Sequence, residues 1–214
     1  QNDGKIDLTV AADPTNGNDK AYLYVTMRRG GRVLYALNVT DPDTPSVLWR
    51  KRNSDTGFSE LGQTWSEVKI GKARIRTSVG GTLQEKTIAI FGGGYDATVE
   101  DQLPASGTRS MGRAIYILDA ETGDILKSFG TADGLAYSIP GAATAMDRDG
   151  DGYTDRFYIG DTGGNLWRVD MPVGTAADTS TGLTSDWTLH KVATIAGADN
   201  EDKRKIMGSP SVVY

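Results

Sequence analysis

The chain has 214 residues, with 28 acidic and 23 basic side chains and a formal net charge of −5, which excludes a broad basic surface for duplex nucleic acid. It has no cysteine and one histidine, His190, which excludes disulfides, thiolate metal sites, Cys nucleophiles and any site needing two histidines. Hydrophobic residues at 38% can build a folded core, and 27 glycines against 7 prolines point to many tight turns.

No apolar run reaches the roughly 18 residues that a membrane-spanning helix needs. No signal-peptide pattern opens the sequence. Gln1-Asn2-Asp3-Gly4 reads as mid-loop and Ser211-Val212-Val213-Tyr214 as a strand, so both ends read as cuts and the expectation is a piece of a longer protein.

The ordered segments are short and rich in β-branched and aromatic residues, and turn residues flank them, which is the strand pattern. In sequence order they are residues 21–27, 34–38, 47–50, 87–91, 115–119, 124–127, 156–159, 166–170 and 187–190. No segment of ten or more residues places apolar side chains at helical spacing. Residues 174–186, rich in Thr, Ser and Gly, read as loop.

Three of these segments repeat one another. Leu34-Tyr35-Ala36-Leu37-Asn38, Ile115-Tyr116-Ile117-Leu118-Asp119 and Leu166-Trp167-Arg168-Val169-Asp170 share the order aliphatic, aromatic, any residue, aliphatic, Asx. A strand precedes each copy across a glycine turn (Arg29-Gly30-Gly31, Gly92-Gly93-Gly94, Thr162-Gly163-Gly164), and another comes after it. A marker opens the later units, as Trp65-Ser66-Glu67-Val68, Ser138-Ile139-Pro140-Gly141 and Gly208-Ser209-Pro210-Ser211. Ser66 and Ser138 are 72 residues apart, and Ser138 and Ser209 are 71 apart. Four short strands per unit at a near-constant interval predict an all-β fold, a partial β-propeller with four-stranded blades. Residues 1–214 are then a fragment of one propeller domain, about three blades, truncated at both ends. A β-sandwich with chance similarity between hairpins is the plainer alternative.

The sharpest chemical signal is Asp147-Arg148-Asp149-Gly150-Asp151-Gly152-Tyr153-Thr154-Asp155. Carboxylates at positions 1, 3, 5 and 9 with glycine at 6 match the first nine positions of an EF-hand-type calcium loop. The predicted ligands are Asp147, Asp149 and Asp151, the carbonyl of Tyr153, and Asp155 directly or through water. The set is crowded for magnesium, which keeps its waters. Position 12, where Glu is expected, is Tyr158, and strand residues follow at once, so the loop is placed at the entry to a blade strand. Asp3-Gly4-Lys5-Ile6-Asp7 resembles the back half of such a loop, yet a plain turn accounts for it.

Other features have structural readings. Phe91-Gly92-Gly93-Gly94 lacks the spacing of a phosphate loop and reads as a turn between strands. His190 reads as a strand residue, and no GxSxG elbow is present to pair with it. Trp49, Trp65, Trp167 and Trp187 read as packing between blades. The clusters Arg28, Arg29, Arg32 and Lys203-Arg204-Lys205 read as solvated faces. Asn38-Val39-Thr40 fits an N-glycosylation pattern that is common by chance. Residues 95–111 read as an insertion between strands, a place where recognition can reside.

The stretches LYALNVTDPDTPSVLWR, FSELGQTWSEV, IAIFGGGYD, GRAIYILDAETGDIL and DRDGDGYTDRFYIGDTGGNLWRVD resemble the C-terminal propeller region of the PilC/PilY family of type IV pilus tip-associated proteins. The resemblance implies a calcium-binding, non-catalytic propeller at the pilus tip on the cell surface, outer-membrane associated. It implies pilus assembly, control of retraction, twitching motility and adhesion, with minor pilins and a host or surface receptor as partners. The family's calcium site falls on Asp147, Asp149, Asp151, Tyr153 and Asp155. Some members carry an Arg-Gly-Asp integrin motif; here the order is Arg148-Asp149-Gly150, so integrin binding is not implied. The rival reading is a quinoprotein dehydrogenase fragment, which Glu121-Thr122-Gly123 invites. In those enzymes calcium meets the quinone at the ring axis through dispersed ligands, whereas here the acidic residues share one loop.

Overall fold

The computed structural model describes residues 20–102, 107–197 and 204–213. Among these the protein forms three antiparallel sheets. The first holds β1 (Tyr22–Thr26), β2 (Val33–Asn38) and β3 (Ser46–Arg52). The middle sheet holds β4 (Lys69–Ile75), β5 (Gln84–Gly92), β6 (Ile115–Asp119) and β7 (Ile125–Phe129). The third holds β8 (Thr144–Met146), β9 (Arg156–Gly160), β10 (Asn165–Asp170) and β11 (Thr188–Thr194). Each sheet is a meander in sequence order, as blades are. The repeated five-residue segment is β2, β6 and β10, the next-to-last strand of its sheet each time. Asp3 and Asp7 lie outside the described residues.

The centre of the middle sheet, the last five residues of β5 and all of β6, is buried on both faces. Side chains alternate along a strand, so Ile88, Ile90, Ile115 and Ile117 enter one core while Ala89, Phe91, Tyr116 and Leu118 enter the other. The first core is completed by Phe157, Ile159, Trp167, Val169 and Trp187 of the third sheet's segment. The second is completed by Leu34, Ala36 and Trp49 of the first sheet, with Phe58 and Leu61. That double burial is why β5 and β6 read as unbroken apolar runs. Trp49, Trp167 and Trp187 pack between sheets as expected. Trp65 does not: it lies ahead of β4, beside Tyr95 and with the Arg28 guanidinium 5.5 Å from its ring centre.

Gly92-Gly93-Gly94 is not the tight turn that its composition predicts. The link from β5 to β6 is a long excursion over residues 93–114, and these glycines permit close approach. A Cβ on Gly92 would sit 2.3 Å from the Ile139 carbonyl oxygen. One on Gly94, at φ +95°, would sit 2.1 Å from that of Gln63. The same approach recurs at Gly160 against Ile206, 68 residues beyond Gly92, so the third sheet meets the segment after it as the middle sheet meets the third. Ser66, buried, accepts the Gly92 N–H at 2.8 Å and donates to the Gly141 carbonyl at 2.8 Å, tying two openings together.

The excursion carries a short helix, α1 (Ala97–Glu100), capped by the buried Asp96, which accepts from Thr98 N–H at 3.1 Å and Ser110 N–H at 2.8 Å. Glu100 anchors it. Its side chain is fully inaccessible and binds Arg109 Nε at 2.7 Å, Thr162 Oγ at 2.6 Å and Lys205 Nζ at 3.0 Å. Burial pushes the Glu100 carboxyl up, but hydrogen bonds from Arg109, Thr162 and Lys205 outweigh it, and the net shift is downward. A depressed carboxylate contributes its stability above the unfolded-state value of about 4.3 and loses it as pH falls through the folded value. Glu100→Gln should therefore cost about 2 kcal/mol at neutral pH in urea unfolding. The gap to the parent should close as the pH drops below about 4; a gap independent of pH would show that the charge is not what holds the insertion.

Arg28 and Arg29 are exposed, as a solvated face would be, and their ion pairs lie at the surface. Arg29 pairs with Asp101 at 3.1 Å, Arg28 with Glu67 at 3.6 Å, and Arg32 Nε donates to the Leu61 carbonyl at 2.8 Å. Lys203 lies outside the described residues.

Candidate metal centre

β8 runs directly into Asp147, and the backbone re-enters the sheet at Arg156, the start of β9. The intervening loop winds around the Asp147 carboxylate. Asp147 Oδ1 accepts the N–H of Gly150 at 2.7 Å and of Asp151 at 3.1 Å, and Oδ2 accepts that of Gly152 at 2.8 Å. Asp149 accepts from Asp151 N–H at 3.3 Å, and Asp151 from Tyr153 N–H at 2.9 Å. The winding needs left-handed backbone at Gly150 (φ 78°) and Gly152 (φ 89°), which glycine adopts freely.

This geometry brings Asp147, Asp149 and Asp151 together, with one carboxylate oxygen from each lying within 4.8 Å of the others. Asp155 is outside that trio; its Oδ2 accepts the Arg148 N–H at 2.6 Å and so closes the loop. The charges are felt across the loop. The Gly152 N–H above all, then those of Gly150 and Asp151, hold the Asp147 carboxyl low. Burial first, and then the negative charges of Asp149, Asp151 and Asp147, push Asp155 up. Clustered hard oxygen donors on a tightly wound backbone suit a hard divalent cation, so the residues present fit the group that their spacing implies.

Tyr158, at position 12, is paired within the sheet to Thr144 and Arg168, so it does not take the place of the missing Glu. The loop is instead fastened to the neighbouring sheet. Thr154 N–H donates to the Lys72 carbonyl of β4 at 2.8 Å, and its hydroxyl sits where a Cβ on Gly71 would be, 2.5 Å away. The Tyr153 phenol donates to Glu85 of β5 and accepts from Arg74 Nη2 of β4 at 2.5 Å. The Arg74 guanidinium lies 4.3 Å from the Tyr153 ring centre and 3.0 Å from Glu85. The Tyr153 hydrogen bond, then that of Arg74, lowers the Glu85 carboxyl. Sequence reasoning missed Gly71, Lys72, Arg74 and Glu85, for no local pattern marks residues so far upstream of the loop.

The turn after β9 is also built by a carboxylate. Asp161, fully buried, accepts from Gly163 N–H at 2.8 Å, Asn165 N–H at 3.0 Å and Trp167 Nε1 at 2.7 Å. Those bonds account for the residues of the GDTGGNLW stretch, which is a structural turn. Glu121-Thr122-Gly123 is another, closing on Asp119, which accepts from Glu121 N–H at 2.9 Å. His190 lies on the exposed strand β11, 3.0 Å from Thr188 Oγ, as expected.

A family model described as the PilY1 beta-propeller domain matches residues 1–194. The chain belongs to that family. A type IV pilus biogenesis factor PilY1 homolog of Xylella fastidiosa is 31% identical over 183 residues, covering 79% of this chain and 11% of the relative. The type IV pilus biogenesis factor PilY1 of Pseudomonas aeruginosa (strain UCBPP-PA14) is 31% identical over 159 residues, covering 72% and 11%. The chain thus spans about a tenth of the length of the curated relatives it matches. The crystal structure of the Pseudomonas aeruginosa PilY1 C-terminal domain superposes with a TM-score of 0.63 at 24% identity, over 90% of this chain and 37% of that one. This last likeness is one of fold, and it identifies the stacked sheets as propeller blades.

Proposed function

We propose that this PilY1-family segment is a calcium-braced, non-catalytic part of a type IV pilus biogenesis factor. Asp147, Asp149 and Asp151 supply side-chain oxygens, Tyr153 its carbonyl, and Asp155 an oxygen directly or through water. The observation that carries the reading is the convergence of three carboxylates on a loop that is bolted to the next sheet. Three like charges repel, and a divalent cation removes that repulsion. With the Tyr153 side chain held by Glu85 and Arg74, ordering the loop also stiffens the seam between the middle and third sheets. A surface whose shape depends on the ion is suited to switching a partner contact by population shift. On this reading the protein works at the pilus tip, on the cell surface. Its contacts there are minor pilins and a host or surface receptor, in assembly, retraction control, twitching motility and adhesion.

Calorimetry on metal-stripped protein tests the first step. One calcium ion per molecule should bind, with magnesium far weaker, and calcium should raise the melting temperature. No binding heat and no thermal shift with calcium would overturn the assignment.

A further inference from the structure

The end of the stack opposite the metal loop holds a cavity of about 410 Å³, between the β5–β6 excursion and the link from β7 to β8. Thr108, Arg109, Arg113, Leu135, Ala136 and Tyr137 contribute to its lining. Its volume lies in the range of small-ligand sites. Among the described residues that line it there is no carboxylate.

Both arginines are held from behind. Arg113 makes a two-pronged pair with Glu60, Nε at 2.9 Å and Nη2 at 2.8 Å. Arg109 uses only Nε on Glu100, and its guanidinium stacks 4.5 Å from the Tyr137 ring centre. Their side chains are 14% and 22% accessible, Arg109 and Arg113 respectively, so little freedom remains to be lost on binding. Among the described residues nothing accepts from Arg113 Nη1 or from either terminal nitrogen of Arg109. Glu100 also pairs with Lys205, and the negative charge of Asp96 reaches Arg113, so three cations meet three carboxylates here and the local charge is balanced in a protein that is acidic overall.

We propose that this cavity receives a carboxylate carried by a peptide. The planar guanidinium fork matches a carboxylate geometrically. With the local charges balanced, a monoanion adds less unpaired negative charge than a phosphate dianion. Leu135, Ala136 and the Tyr137 ring form an apolar wall for the residue that bears the acid. The carboxylate can come from a peptide's C-terminus or from an acidic side chain, and the two sources share this chemistry.

Ligand-observed NMR titration of the 214-residue chain separates them. The probes are N-acetyl-alanyl-leucine with a free C-terminus, its C-terminal amide, and N-acetyl-leucyl-glutamate amide with only the side-chain acid free. At least one acid should bind about tenfold more tightly than the amide, and added salt should weaken it. Whichever acid is tighter names the source. Arg113→Lys and Arg109→Lys, checked for an unchanged melting curve, should each weaken the tighter acid about fivefold, because the charge stays and the fork is lost. The proposal is overturned if the amide binds as well as both acids, or if no probe binds. It is also overturned if folded lysine variants bind as the parent does. Should a variant fail to fold, the comparison of acid with amide on the parent protein still decides.

Discussion

Asp147→Ala should weaken calcium binding about a hundredfold or more, read by calorimetry on metal-stripped protein. Two losses combine in this one substitution. A ligand oxygen disappears, and so does the acceptor for the N–H groups of Gly150, Asp151 and Gly152 that wind the loop. Arg148→Ala is the matched control. Its side chain is no ligand, and removing a cation beside the site should leave affinity unchanged or slightly raised. Equal calcium affinity in the Asp147→Ala variant and the parent would remove the loop as the binding site.

Phe91→Ala should cost about 3–5 kcal/mol in urea unfolding. Phe91 is 1% exposed, its ring centre is 5.3 Å from that of Tyr116, and it lies in the core shared by the first and middle sheets. The loss combines transfer of the ring to water with an unfilled cavity. Val47→Ala on the exposed face of the first sheet, at 59% exposure, should change stability by less than about 0.5 kcal/mol. The contrast bears on stacking, since both residues sit in strands but Phe91 is buried between two sheets and Val47 is exposed. A Phe91→Ala cost under about 1 kcal/mol would mean that the two sheets do not form one cooperative core.

The strands were legible because their signals are local. Residues 87–91 and 115–119 alternate side chains into two cores, which leaves an apolar run bounded by turn residues. The three-fold repeat of β2, β6 and β10 was legible for the same reason, since each occupies the same place in its sheet. Within the candidate site the spacing of Asp147, Asp149 and Asp151 was enough to place three carboxylates together, because a wound loop brings alternate residues onto one centre. Asp155 was legible as acidic but not as the residue that closes the loop on Arg148 N–H.

The glycine run of residues 92–94 shows where local inference stops. A turn and a close backbone approach both call for glycine, and only the position of Ile139 and Gln63 tells them apart. The insertion shows the same limit. Nothing near Glu100 in the sequence marks it as buried, because Thr162 and Lys205 are 62 and 105 residues away.

By itself, then, the amino-acid order determined the strand pattern and the acidic loop, which depend on neighbours within about ten positions, and the repeat, whose copies lie far apart but are each a short local pattern. The tertiary structure alone decided that Tyr153 reaches Glu85 and Arg74, that Glu100 gathers Arg109 and Lys205, and that two arginines face one cavity. Each of those contacts joins side chains brought together by the stacking of sheets, and the register of one sheet on another is set by the packing of whole faces, which no single segment encodes.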